Sequence, residues 1–146
     1  MIGLLQRVRY ANVVVDNVEI AAIKKGLLVL IGIEKEDSTI QADKLLKRLL
    51  AYRIFSDEND KMNLSLQDIK GDLLLVPQFT LAADTKKGMR PSFTPAASPD
   101  LGLQLFDYFC DQASQLYPHI QTGEFGADMQ VSLTNDGPAT FYLQTK

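Results

Sequence analysis

The sequence has 146 residues, of which 46% are hydrophobic and 23% charged, with a formal net charge of −3 and a pI of about 5.1. This composition predicts one globular domain over residues 1–146, and no apolar run is long enough to cross a membrane. The acidic balance argues against a general nucleic-acid binder. A single cysteine, a single histidine and no signal-peptide pattern at the start predict a cytoplasmic protein without a disulfide or a metal.

The first third of the chain predicts strands followed by a helix. Residues 2–15 resemble a strand interrupted near residues 10–12, and a turn at Asp16 leads into a returning strand over residues 18–22. The almost wholly apolar run 27–33 is typical of a buried strand. Ser38 and Gln41 have the spacing of a capping box, which predicts that a helix begins there. Four apolar residues fall on one face of that helix: Ala42, Leu45, Leu46 and Leu49.

The rest of the chain predicts a strand, a second helix and three further strands. Residues 73–76 form the strand, and Ser98-Pro99-Asp100 is a helix start with proline at the first helical position. Residues 119–144 resemble three strands, with Asp-Gly at 136–137 predicting a hairpin between residues 129–133 and 141–143. The buried stripe of the helix is expected to comprise Leu105, Phe106, Phe109, Ala113 and Leu116.

These elements indicate a strand-rich α+β domain with an antiparallel or mixed sheet, or a barrel-like core, and two helices. Strands and helices do not alternate regularly, which argues against a doubly wound parallel sheet. Neither a GxGxxG pattern nor a phosphate-binding Gly-Lys-Ser/Thr pattern occurs. We therefore expect no nucleotide cofactor.

Few side chains are placed for covalent chemistry. A nucleophilic Thr80 needs a general base beside it, and no motif brings His119, the one histidine, to it. Cys110 lies among apolar helix residues, as a small core residue does. The carboxylates that remain as candidate bases are Asp84, Asp128 and Asp136, although an aspartate beside turn residues is most simply a turn former.

Pro138 directly after Gly137 is unusual for a hairpin. Proline removes a ladder N–H where a strand should resume, so it either ends the pairing as a trans residue or forms a cis Gly-Pro bond. The residues alone favour the trans form, because only about 5–6% of X–Pro bonds in folded proteins are cis.

Short motifs across the chain, in a constant order, resemble the D-aminoacyl-tRNA deacylases of the bacterial type. Each motif is weak alone, but together they cover nearly the whole length. They are Gln6-Arg7-Val8, Tyr52-Arg53-Ile54-Phe55-Ser56-Asp57, Lys61-Met62-Asn63-Leu64, Gln78-Phe79-Thr80-Leu81, Gly88-Met89-Arg90-Pro91-Ser92-Phe93, Ala127-Asp128-Met129-Gln130-Val131 and Asn135-Asp136-Gly137-Pro138.

The resemblance implies an enzyme that hydrolyses the ester of D-aminoacyl-tRNA, with no metal and no cofactor. It implies that the 2′-hydroxyl of the terminal adenosine helps to activate water, while the backbone N–H groups of Phe79 and Thr80 stabilise the oxyanion. Gln78 matches the same pocket, and Met129 matches a position near the bound aminoacyl group. Arg7 matches a residue that holds the Gly-Pro element.

The resemblance also implies how the enzyme selects chirality. The carbonyls of a cis Gly137-Pro138 element from the partner subunit of a homodimer form a wall against L-amino acids. Because glycine has no side chain to reject, glycyl-tRNA is an expected second substrate. The chain departs from the family pattern at Pro77, where serine is frequent, and at Ala139, where valine is frequent.

A local basic group is the expected tRNA contact, namely Lys86, Lys87 and Arg90. A solvated loop is the alternative interpretation of these three residues. Two other functions compete with the enzyme: a non-enzymatic RNA-binding module that uses this loop, and a strand-rich assembly protein whose Gly-Pro element mediates dimerisation only.

Overall fold

The computed structural model describes all residues from Met1 to Lys146. It contains eight strands, three α-helices and one 3-10 turn. The strands are β1 (Ile2–Val15), β2 (Val18–Ile23), β3 (Gly26–Gly32), β4 (Phe55–Ser56), β5 (Met62–Leu64), β6 (Asp72–Pro77), β7 (Ile120–Thr122) and β8 (Gln130–Gln144). The helices are α1 (Thr39–Ala51), α2 (Leu66–Ile69) and α3 (Pro99–Leu116), and the 3-10 turn is Phe79–Ala82.

Six strands form one mixed sheet in which β1 is the shared strand. The order is β2-β1-β3-β6-β7, and β8 also pairs with β1. The strand β1 is antiparallel to β2, β3 and β8, whereas β6 is parallel to both β3 and β7. The Ala22 N–H donates to Oε1 of Gln121 at 3.1 Å, so β2 approaches β7 and the sheet curls towards closure. The predicted strand-rich α+β fold with a mixed, barrel-like sheet is confirmed, and the short helix α2 adds to the two predicted helices.

Two hydrophobic cores lie on opposite faces of this curled sheet. The larger core joins the sheet to α1 and α3 through residues such as Leu45 and Phe109. The smaller core fills the inside of the curl with residues such as Val13 and Val76. Because both faces of β3 and β6 are covered, their sequences are nearly continuous apolar runs.

Both long helices begin at the predicted caps. Ser38 and Gln41 form a full capping box, and Ser98 caps α3 with Pro99 at its first turn. The predicted buried stripe of α3 is wrong at Leu116, which is 62% exposed because it lies in the final turn, beyond the larger core. None of the helices is long and apolar enough to span a membrane.

The prediction of three strands after residue 119 is wrong, and so is the hairpin at Asp136-Gly137. The segments on either side of Gly137 both belong to β8, and both pair with β1 in one direction. The chain therefore makes an excursion at this point and does not reverse. The predicted interruption of β1 near residues 10–12 is also wrong, because β1 is continuous and its irregular pairing with β8 lies on either side of Val8.

Candidate active site

A pocket of about 440 Å³ opens where β6 ends and β8 begins. Its inner wall is apolar and includes Ile31, Val76 and Val131, while the helix α3 contributes Pro99 and Gly102 at its first turns. Of the residues singled out from the sequence, Gln78, Phe79, Asp128 and Met129 line this pocket. A concave apolar cavity with few polar groups is the usual form of a small-molecule site.

The turn Gln78-Phe79-Thr80 forms one rim of the pocket. The Gln78 N–H donates to the Ile31 carbonyl at 2.7 Å, which ties the turn to the end of β3. The Gln78 side chain donates from Nε2 to Oγ1 of Thr80 at 2.6 Å. Within the turn, the Leu81 N–H donates to the Gln78 carbonyl, so the N–H groups of Phe79 and Thr80 precede the first such bond. Neither N–H group has a backbone acceptor, and of these two residues Phe79 lines the pocket whereas Thr80 does not.

The opposite rim is the segment that leads into β8. Met129 is half-buried, and its Sδ accepts the Glu124 N–H at 3.4 Å. A Cβ atom at Gly123 would lie 2.9 Å from this sulfur, so glycine at position 123 leaves room for the Met129 side chain. The Phe125 ring packs against Gly102 and lies 6.2 Å from the Phe106 ring. Phe125 and Gly102 were missed by the sequence analysis, because no local pattern distinguishes them from ordinary core residues.

The basic residues lie on a loop that follows the first rim, the turn Gln78-Phe79-Thr80. The Asp84 and Ser92 backbones exchange two hydrogen bonds, at 2.7 and 2.9 Å, which close the loop at its base. Lys86, Lys87 and Arg90 are all exposed, and Met89 at the tip is 99% exposed. The Phe93 ring, just after the loop, lies 5.3 Å from the Phe79 ring. The aromatic contact links the base of the basic loop to the rim of the pocket.

The Gly-Pro element is a bulge in β8 and does not line the pocket. The pair Gln6–Thr140 is followed on β1 by the pair Val8–Asn135, so Arg7 alone faces residues 136–139. The Gly137–Pro138 peptide bond is cis, so the trans form that the residues alone favour is wrong, and both residues are exposed. We refer to residues 136–139 as the β8 bulge.

Arg7 holds the bulge from β1. Its Nε donates to the Asp136 carbonyl at 2.8 Å, and its Nη1 donates to the Ile54 carbonyl at 2.8 Å. Gly137 has a φ of +139°, and a Cβ atom there would lie 2.8 Å from Nη2 of Arg7. The backbone conformation therefore strongly favours glycine at position 137, and the nearby guanidinium would have to shift for any larger residue.

The remaining candidate residues are not brought together. Asp84 closes the basic loop, and Asp136 lies in the β8 bulge, where its Oδ1 is 3.4 Å from Nε of Arg9. His119 is exposed at the end of α3 and its ring lies against Tyr117. Burial raises the pKa of the Cys110 thiol to about 12, with Asp107 and Asp111 adding to the shift, so this thiol is a poor nucleophile at neutral pH.

Close relatives of the chain share one description. A family model described as D-Tyr-tRNA(Tyr) deacylase matches residues 4–144. The D-aminoacyl-tRNA deacylase of Herminiimonas arsenicoxydans is 62% identical over 146 residues, covering 100% of this chain and 98% of the relative. That of Pseudomonas putida (strain KT2440) is 63% identical over 144 residues, covering 99% of each chain.

A solved structure has nearly the same fold. It is the c-Myc DNA unwinding element binding protein, with a TM-score of 0.96, 36% sequence identity, and coverage of 100% of this chain and 99% of that chain.

Proposed function

The chain belongs to the D-Tyr-tRNA(Tyr) deacylase family, and on that premise we propose how its pocket and its β8 bulge divide the work of D-aminoacyl-tRNA hydrolysis. The protein is a hydrolase that cleaves the ester of D-aminoacyl-tRNA. The proposal concerns the residues, the selection of chirality and the second substrate.

The pocket receives the aminoacylated 3′ end of the tRNA. Its volume of about 440 Å³ is within the usual range for a small-molecule site, and its apolar wall suits a planar base or an apolar side chain. The N–H groups of Phe79 and Thr80 then stabilise the oxyanion that develops on the ester carbonyl. The observation that supports this assignment is that Phe79 lines the pocket and that neither its N–H nor that of Thr80 has a backbone acceptor.

The chain supplies no conventional nucleophile at this rim. The Thr80 hydroxyl is bonded to the Gln78 amide, which is not a base, and neither His119 nor Cys110 lines the pocket. Family membership implies that the 2′-hydroxyl of the terminal adenosine takes part in activating the water, and the Asp128 carboxylate, which lines the pocket, is the alternative base. Gln78 orients the turn, and Met129 borders the bound aminoacyl group.

Selection against L-amino acids comes from the β8 bulge of a partner subunit. Gly137 and Pro138 project from the sheet without lining the pocket of their own chain. A homodimer in which each bulge enters the other subunit's pocket supplies the missing wall. If the amino group, the α-hydrogen and the ester carbon are all fixed, handedness alone decides whether the side chain meets that wall.

A wall of this kind cannot reject glycine. Glycyl-tRNA is therefore a second substrate, cleaved at a rate comparable to that of the D-ester. Lys86, Lys87 and Arg90 contact the tRNA phosphates next to the acceptor end, because their loop begins at the rim of the pocket. Family membership favours this enzyme over an RNA-binding module or a protein that only dimerises.

The first test is hydrolysis of D-tyrosyl-, L-tyrosyl- and glycyl-tRNA by the purified protein in the presence of a chelator. We expect loss of the D-tyrosyl and glycyl esters and persistence of the L-tyrosyl ester. Equal hydrolysis of the D- and L-esters would contradict selection by the bulge. An intact glycyl ester would contradict a mechanism based on rejection alone.

A mixing experiment tests the partner arrangement. Ala97→Trp fills the pocket and leaves the bulge intact, whereas Gly137→Ala impairs the bulge and leaves the pocket intact. With Ala97→Trp in excess, nearly every Gly137→Ala subunit has an Ala97→Trp partner. We expect the mixture to recover the D/L selectivity of the unmodified protein. Selectivity that stays at the Gly137→Ala value would place the bulge and the pocket of one active site in the same subunit.

A further inference from the structure

The side chain of Asn135 closes the base of the β8 bulge. Its backbone is the last to pair with β1 before the bulge, opposite Val8. Its Oδ1 accepts the Ala139 N–H at 2.6 Å, and its Nδ2 donates to the Ala139 carbonyl at 3.4 Å and to Oγ1 of Thr140 at 2.9 Å. One side chain thus joins the residue before the bulge to its last residue and to the first residue after it.

This closure has a physical reason in the sheet. Where β8 leaves the ladder, the backbone groups of Ala139 no longer face β1, yet Ala139 is only 4% exposed. A buried N–H without an acceptor is destabilising, so another group must replace the strand partner. Like a peptide group, a carboxamide has both an acceptor and a donor group, so it can replace the strand partner. The asparagine side chain is long enough to reach across the bulge.

The two ends of the bulge are therefore held by different side chains. Arg7 donates to the carbonyl of Asp136, the first bulge residue, while Asn135 bonds both backbone groups of Ala139, the last. Gly137 and Pro138 lie between these two anchors and are exposed.

We propose that Asn135 is a positioning residue for stereochemical selection, because it fixes the direction in which Gly137 and Pro138 project. The inference rests on the proposed role of these two residues as the wall against L-amino acids. Without the Asn135 side chain, the bulge is held only by Arg7. Gly137 and Pro138 then no longer have one fixed direction. The rejection of L-esters then weakens more than the hydrolysis of D-esters.

The test compares D-tyrosyl-, L-tyrosyl- and glycyl-tRNA hydrolysis by the full-length variant Asn135→Ala. We expect the D/L ratio of kcat/KM to fall about tenfold, the effect of losing roughly one net hydrogen bond. The glycyl and D-tyrosyl rates should change in step, because neither substrate meets the wall. Asn135→Asp keeps the acceptor for the Ala139 N–H but cannot donate, so its ratio should fall only about threefold.

The matched control is Asn63→Ala. It removes a hydrogen bond donated by another asparagine side chain, from Asn63 Nδ2 to Asp57 Oδ2 at 2.9 Å. Its D/L ratio should not change. A purely structural role for Asn135 would lower the rates of all three esters by one factor and leave the ratio intact, which would overturn the proposal. If Asn135→Ala does not fold, the ratio of Asn135→Asp decides by the same criterion.

Gly137→Ala, assayed in parallel, separates this inference from the proposed function. Suppose that the D/L ratio changes in Gly137→Ala but not in either Asn135 variant. This result would refute the positioning role of Asn135 and leave the proposed role of Gly137 and Pro138 intact. Unchanged ratios in all three variants would refute both.

Discussion

The pocket and the β8 bulge are built in opposite ways from the same sheet. The pocket is concave and apolar. One of its rims is the turn after β6, and the other is the segment before β8. The bulge projects outwards from the middle of β8, and its conformation depends on hydrogen bonds from Arg7 and Asn135 to its backbone. The inner wall of the pocket is therefore fixed by packing, whereas the bulge is fixed by a few polar contacts.

Under the proposed roles of the two regions, this difference means that binding and selection can be altered separately. A cavity lined by core residues changes shape only when the core repacks. A bulge held by individual side chains changes direction when one of those contacts is lost. Substitutions in the two regions should thus affect different kinetic quantities.

The largest expected effect is that of Gly137→Ala. The new Cβ atom would lie 2.8 Å from Nη2 of Arg7 at a φ of +139°, so the backbone is strained and the guanidinium that bonds Asp136 must shift. We expect the D/L ratio of kcat/KM to fall about a hundredfold. The control is Gly88→Ala, at a φ of +70° with no atom near its Cβ position, which should leave the ratio unchanged. An unchanged ratio in Gly137→Ala would remove the bulge from selection.

The next effect concerns affinity and tests whether the basic loop belongs functionally to the pocket side. In the double variant Lys86→Ala/Lys87→Ala, we expect KM for D-tyrosyl-tRNA to rise about tenfold with a weaker salt dependence, while kcat and the D/L ratio stay constant. The matched control is Lys24→Ala/Lys25→Ala, an exposed lysine pair in the turn between β2 and β3. Equal effects of the two double variants would mean that only net charge matters.

A smaller effect is expected for Thr80→Val, which removes the hydroxyl and keeps the backbone N–H. Because the proposed oxyanion donor is the backbone, kcat should fall by only about threefold, through loss of the bond from Gln78. Removal of a true nucleophile typically costs about 10⁴-fold or more. A loss of that size, measured in single-turnover assays, would make the Thr80 hydroxyl a reacting group.

The smallest kinetic effect is expected at Glu34, which belongs to neither region. Burial alone would raise the pKa of Glu34, but hydrogen bonds from Gln144 and the Met1 amino group, together with the charges of that group and Lys146, lower it. This carboxylate therefore stabilises the fold above its ordinary pKa of 4.5, and the contribution is lost as the pH falls through the lower folded value.

We expect Glu34→Gln to lower the free energy of unfolding by about 1 kcal/mol at pH 7, with no change in the D/L ratio. Urea titrations should show that the difference between the two proteins shrinks as the pH falls below 4.5. A difference that is independent of pH would show that the charge of Glu34 contributes nothing.

The sequence predicts the packed parts of this molecule better than its polar details. The capping residues Ser38 and Ser98 and the apolar runs of β3 and β6 identify their elements correctly, because local chemistry decides them. Asp136-Gly137 is misleading for the opposite reason. A turn dipeptide is compatible with reversal or with a bulge, and the choice depends on β1, a strand more than a hundred residues away in the chain.

In the candidate active site, too, local motifs are predictable from the sequence, whereas contacts between distant segments are not. The motif around Gln78, Phe79 and Thr80 is recognisable as a unit, and the structure places Gln78 and Phe79 on the pocket. The sequence could not show that Gly137 and Pro138 lie outside the pocket of their own chain, or that Phe125 and Gly102 shape it. These relations arise only when distant segments pack together.

The pairing of the first strand with the last also bears on how the chain becomes active during its synthesis. The strand β1 leaves the ribosome well before β8, its partner along most of its length. The bulge within β8 can pair with the sheet only after β8 has been made. A nascent chain that stops before β8 therefore lacks the bulge and the pocket residue Val131, so neither region is complete until β8 has been made.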